Sequence, residues 1–145
     1  MSRNDPFKPR VDECSVLLDR PRLIRRWQHG SDAFFWRHEK RGALIARGDD
    51  AKVRYRWKDV FEFEGGQPPD GMAEAYACDL LTERQVAGLF SVAPSFVLNA
   101  ARRKELPARR IGRAYRFVPA EVAAWQARRF VNRKSLNSRR NSKNE

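Results

Sequence analysis

Cysteine, histidine and methionine are scarce in this chain, two of each among 145 residues. Cys14 and Cys78 lie far apart with no pairing pattern, which excludes a disulfide scaffold and points to a reducing cytoplasm. With His29 and His38 they are the only soft ligands, and none sits at C-x-x-C or H-x-x-x-H spacing, so no metal site is expected. No apolar run approaches the roughly 18 residues of a membrane span. The first ten residues lack the apolar stretch of a signal peptide. Neither a Gly-rich phosphate loop nor a G-x-S-x-G turn is present, and no acidic pair stands in a recognisable catalytic setting. We therefore expect neither an enzyme nor a cofactor.

Acidic residues are also in short supply. Thirty Lys and Arg face 18 Asp and Glu, giving a formal net charge of +12 and a pI near 10.6. Such an excess calls for a polyanionic partner, and in the cytoplasm that means nucleic acid first. The competing reading is a basic surface kept for solubility. The charge is unevenly placed, with net +3 over residues 1–70 and net +9 over 71–145.

The composition divides the chain into five parts. Residues 1–14 read as a flexible N-terminus and 15–64 as a first folded unit. Residues 65–79 read as a linker, entered through Gly65-Gly66 and Pro68-Pro69, which break helix and strand. A second unit covers 80–130, and 131–145 is a basic, disordered tail without apolar periodicity. Sliding the chain over itself by 62 positions gives nine identities among the 46 pairs from 18/80 to 63/125 with no gap, including Leu18/Leu80, Phe34/Phe96, Leu44/Leu106 and Arg54/Arg116. Similar pairs such as Asp59/Glu121 and Tyr55/Phe117 keep acid with acid and ring with ring. Two copies of one small fold follow.

In the second copy, Thr82-Glu-Arg-Gln85 has the spacing of a capping box, and Val86, Leu89 and Phe90 share one side of the helix it opens. After a short turn, Pro94 suits the first position of a second helix. There Ala93, Val97, Ala100 and Ala101 form a small-residue face, opposite Ser95, Asn99, Arg102 and Arg103. Two extended pieces around Gly112 fit a hairpin from which Arg109, Arg110, Arg113 and Arg116 project. Pro119 opens a last helix running to about Arg129, with Val122 and Trp125 inward. Trp27, Trp57, Phe63 and Trp125 read as core. The order helix, turn, helix, basic hairpin, helix is that of a small winged helix-turn-helix, so the fold class is mainly α with small β wings, in tandem.

Leu80-Leu-Thr-Glu-Arg-Gln-Val-Ala87, Glu105-Leu-Pro-Ala-Arg-Arg-Ile-Gly112, Tyr115-Arg-Phe117 and Glu121-Val-Ala-Ala-Trp125 resemble the excisionase-type DNA-binding domains of the MerR superfamily. The pattern departs at Ala93 and Pro94 and at Lys104, where the family usually carries Gly. Phe34 to Leu44 and Val53 to Val60 resemble the MerR branch, although Asp49 and Asp50 make the first wing tip more acidic. The long dimerisation helix and effector region of MerR regulators are missing, so no small-molecule effector is implied.

The resemblance implies double-stranded DNA as partner, with recognition helices in the major groove and wings on the backbone. In the second copy the candidate contacts are Ser95, Asn99, Arg102 and Arg103, with wing residues Arg109, Arg110, Arg113 and Arg116. In the first they are Trp36, Arg37, Lys40 and Arg41, with Arg54 on the wing. Any one of these arginines, taken alone, is equally a solvated surface residue. A mobile linker of about 16 residues reaches roughly 20–24 Å on average and stretches further, enough for adjacent half-sites. The leading expectation is a sequence-specific, nucleoid-associated transcription regulator. The alternatives are an excisionase-like architectural factor that biases an integrase, or a DNA-tethered adaptor whose first copy recruits RNA polymerase or a co-regulator.

Overall fold

The computed structural model describes residues 16–49 and 52–134. The expected flexible N-terminus with Cys14, the tip of the first wing at Asp50-Ala51, and the tail from 135 onward lie outside the described residues. Among those described, the elements run α1 (Arg20–Trp27), α2 (Asp32–Lys40), β1 (Arg47–Asp49), β2 (Lys52–Arg54), α3 (Trp57–Glu64), α4 (Ala73–Tyr76), α5 (Glu83–Phe90), α6 (Pro94–Arg102), β3 (Arg109–Ile111), β4 (Ala114–Arg116) and α7 (Pro119–Arg129). β1 pairs antiparallel with β2, and β3 with β4, each as a two-stranded sheet.

Local chemistry accounts for the boundaries. Asp19 caps α1 by accepting from the Arg22 N–H, and Ser31 caps α2 through Phe34. Thr82 and Gln85 form the full reciprocal capping box on α5. Pro94 and Pro119 occupy first-turn positions, where no intrahelical donor is lost. Gly112, with φ of 64°, takes the first of the two loop positions between β3 and β4.

The two halves repeat one element order, but the ungapped offset needs correction. From α2 onward, bounds in the second half lie 62 positions later, except that α7 runs three residues beyond the end that α3 would predict. α1 and α5 are 63 apart, and so are the left-handed residues that end them, Gln28 and Ser91. The first half therefore has one extra residue in its turn, where His29-Gly30 stands against Val92. Short bridges repeat this offset, Leu18 to Tyr55 and Leu81 to Phe117. Leu18 thus corresponds to Leu81 rather than Leu80; the Leu80-Leu81 doublet satisfies both offsets and hides the insertion.

Two apolar clusters form. The second half closes its own core with Val86, Val97, Ala100, Leu106, Phe117, Val122 and Trp125. Leu89 and Ala93, expected inward, are exposed, because Leu89 lies on the far side of α5 and Ala93 is the residue before α6. The first cluster holds Leu23, Trp27, Phe34, Phe35, Tyr55, Trp57 and Val60, and it also takes in Tyr76, Leu80, Ile111 and Val118. Phe63 packs against it half-buried.

The segment from 65 to 79 is accordingly not a mobile tether. Tyr76 is buried, and its hydroxyl donates to Glu121 on α7 (3.2 Å). The fully buried Arg26 guanidinium donates to both Glu64 oxygens (2.8 and 2.7 Å), to the Tyr76 carbonyl (2.6 Å) and to that of Cys78. Trp27 Nε1 also donates to Glu64, and Trp57 stacks beneath Arg26, 4.9 Å from ring centre to guanidinium carbon. A buried charge pair of this kind holds only when its remaining donors and acceptors are satisfied, as they are here.

Candidate nucleic-acid interface

α5 and α6 pack on each other through Val86, Ala87, Val97, Ala100 and Ala101, joined by the left-handed Ser91 turn. Small residues let the helices approach closely and leave the opposite side of α6 facing solvent. Ser95, Asn99, Arg102 and Arg103 are all exposed there. Arg102 Nη1 donates to Asn99 Oδ1 (3.4 Å), placing a guanidinium and an amide together in the last turn of α6. Arg103 pairs with Glu105 (3.1 Å). After α6 the chain turns through Lys104 at φ of 62°, the position where the first half has Gly42 at 76°.

The four arginines of the second wing divide by strand register. Arg109 stands opposite Arg116 and Arg110 opposite Tyr115, so the first pair occupies one face of the hairpin and the second pair the other. Arg110 lies over the Tyr115 ring at 4.4 Å and is exposed, as is Arg113 at the loop. Together with Arg102, Leu98, Glu83 and Ala114 they line a cleft between α6 and the wing. This cleft gathers three cationic side chains, one from α6 and two from the wing, with the Glu83 carboxylate at its edge.

Arg109 and Arg116 do not project, contrary to the sequence reading. Arg109 folds onto α7 and pairs with Glu121 (2.9 Å). Arg116 is 9% exposed; its Nε and Nη2 donate to the Trp27 and Gln28 carbonyls (2.7 and 2.9 Å), and Nη1 to its own strand at Tyr115 (2.8 Å). Two like charges directly across a hairpin are unfavourable unless each finds a partner elsewhere. Here one takes a carboxylate and the other the open carbonyls at the end of α1.

The first half presents Trp36, Arg37, Lys40 and Arg41 on the solvent side of α2. Trp36 is 61% exposed, with the Lys40 ammonium 4.6 Å from its ring centre. Arg54 is half-buried and donates to the Val53 carbonyl (2.8 Å), as Arg116 does to Tyr115. Arg47, opposite Arg54, binds Asp59 (2.9 Å), repeating the Arg109–Glu121 pair. Both histidines serve as packing rings against Phe34, at 5.2 Å for His29 and 4.4 Å for His38. Burial first, and nearby arginines second, hold both imidazoles below the usual histidine range. Among the described residues no group of three or more His, Cys, Asp or Glu is placed to hold a metal ion, and no helix is long and apolar enough to cross a membrane.

Sequence reasoning missed Leu98, Glu83 and Tyr115 in the cleft. Tyr115 was recoverable, because a two-residue loop fixes it opposite Arg110. No curated protein and no solved structure matches this chain. Residues 80–130, which contain α5, α6, the second wing and α7, match the model of a family described as a helix-turn-helix domain.

Proposed function

We propose that the chain is a sequence-specific regulator of transcription that lays α6 in the major groove of double-stranded DNA and grips the flanking backbone with Arg110 and Arg113. The observation that carries this reading is the outward stripe Ser95, Asn99, Arg102, Arg103, set on a helix-turn-helix and continued by the cationic cleft. Asn reads adenine and Arg reads guanine through paired hydrogen bonds, so the stripe has the chemistry for base discrimination. The first half, with the same element order and a cationic α2, is in this reading a second copy that contacts DNA through Trp36, Arg37, Lys40 and Arg41. The excisionase-like resemblance extends the same chemistry to an architectural role beside an integrase, in which several copies would line adjacent sites. Selection from a random duplex pool tests the reading. An enriched motif with positions that blur in Asn99→Ala supports it, and equal retention of all duplexes sinks it.

One observation favours a second reading, in which the first half recruits a protein. Trp36 is a large aromatic left in solvent at the centre of α2, and such residues anchor protein interfaces. Trp27, Trp57 and Trp125 are buried, so Trp36 dominates any change in tryptophan emission on surface binding. Saturating duplex that leaves emission unchanged assigns α2 to a protein partner; a change that disappears in Trp36→Phe assigns it to DNA.

A further inference from the structure

The two halves are joined by more than the covalent connection. Arg116, from the second wing, closes the end of α1 through two carbonyls. Gln28 Nε2 donates to the Leu80 carbonyl and to Gln85 Oε1 (both 2.7 Å), and Gln85 Nε2 returns a bond to Gln28 Oε1 (3.2 Å). The Leu80 N–H donates to the Arg26 carbonyl (2.8 Å), and Arg22 pairs with Asp79 (2.6 Å). Leu80, Ile111 and Val118 fill the first half's core. Contact at the wing loop is tight. A Cβ on Gly112 would lie 3.0 Å from His29 Nε2 and 3.6 Å from the Phe34 ring, in the turn and first residues leading into α2. The second wing therefore lies between α6, with which it shares the arginine cleft, and the start of α2.

We infer that the chain reads DNA as one rigid body, so that its operator consists of two half-sites at a single fixed spacing, set by the Arg116 and Gln28 contacts. This rests on the proposal that α6 and α2 both contact DNA. A flexible tether and a welded pair make opposite predictions. With a tether, the second domain follows its half-site when base pairs are inserted, at a cost that grows slowly with distance. With a welded pair, each inserted base pair carries the half-site about 3.4 Å along and about 34° around the helix. Five base pairs place it on the opposite side of the duplex. Ten return it to the same side about 34 Å further away, beyond the reach of any docked arrangement.

The test uses the full chain and sequences selected from a random duplex pool, followed by spacer insertions of one, two, five and ten base pairs into the best site. A single enriched spacing is expected, and every insertion, ten included, should weaken binding by about 100-fold or more, the loss of a second linked contact. Arg37→Ala and Asn99→Ala, both exposed substitutions, should each blur a different half of the motif. Half-motifs found at several spacings, tolerance of the ten-base-pair insertion, or Arg37→Ala leaving both halves unchanged would overturn the inference while leaving DNA reading by α6 intact. Absence of any enriched motif would instead remove the DNA-reading proposal on which it stands.

Discussion

Replacing Arg116 with alanine deletes three donors that point at carbonyls of Trp27, Gln28 and Tyr115. The first two belong to the end of α1, which has no later turn whose N–H groups could donate to them. Hydrogen bonds from a charged donor contribute about 1.5–3 kcal/mol each, and a buried carbonyl left unpaired costs about 1–3 kcal/mol. Water can reach some of the vacated space, so the expected loss is about 2–4 kcal/mol, set by the Trp27 and Gln28 carbonyls left without a donor. Arg54→Ala is the matched control. Arg54 stands at the equivalent strand position and makes the same bond to the preceding carbonyl, but it does not reach into the other half, so its removal should cost about 1 kcal/mol or less. Urea unfolding followed by tryptophan emission reports both halves, because Trp27 and Trp125 are buried in separate cores. A penalty for Arg116→Ala no larger than that for Arg54→Ala would refute the assignment of Arg116 to the junction between halves and return it to the DNA-contacting set.

Other substitutions separate folding from binding. Arg113→Ala should leave stability within about 0.5 kcal/mol and lower the slope of log affinity against log salt by about 1; an unchanged slope would take Arg113 off the phosphates. Arg109→Ala should do the reverse, losing the Glu121 pair with little change in slope, as seen by parallel melting and salt titration. Lys104→Gly relieves a left-handed backbone and should raise stability by about 0.5–1 kcal/mol, read as a higher urea midpoint; a lower midpoint would contradict the assigned φ. His29 and His38 are held below the usual histidine pKa, so the folded chain takes up protons less readily than the unfolded one. Stability should therefore be full above pH 7 and decline as pH falls through about 6.5. His29→Gln should flatten part of that decline in unfolding midpoints compared at pH 7.5 and 5.5, and a midpoint that rises on acidification would contradict the sign.

Much of the second half was legible because its signals are local. The capping box at Thr82, the proline starts at Pro94 and Pro119, and the polar stripe of α6 each depend on residues within a turn or two. For the wing arginines, strand register and not charge decides which side chains face solvent. Gly112 fixes a two-residue loop, and counting outward from it puts Arg109 with Arg116 and Arg110 with Tyr115, so the alternation of faces already separated inward from outward. The docking of the halves was not legible in the same way. Gly65-Gly66 and Pro68-Pro69 do break regular structure, but breaking a helix does not free the chain, and Arg26, one of several arginines on α1, anchors the segment through contacts with residues 38 to 52 positions away. Such a partner set exists only after folding.

The shared first core has a practical outcome for anyone dissecting the molecule. Tyr76, Leu80, Ile111 and Val118 complete a core built mostly from residues before 65, so a cut in the connecting segment leaves one fragment with a hole and the other with greasy surface. Deletion mapping would then report misfolding as loss of function, and point substitutions on α2 and α6 are the safer way to divide labour between them.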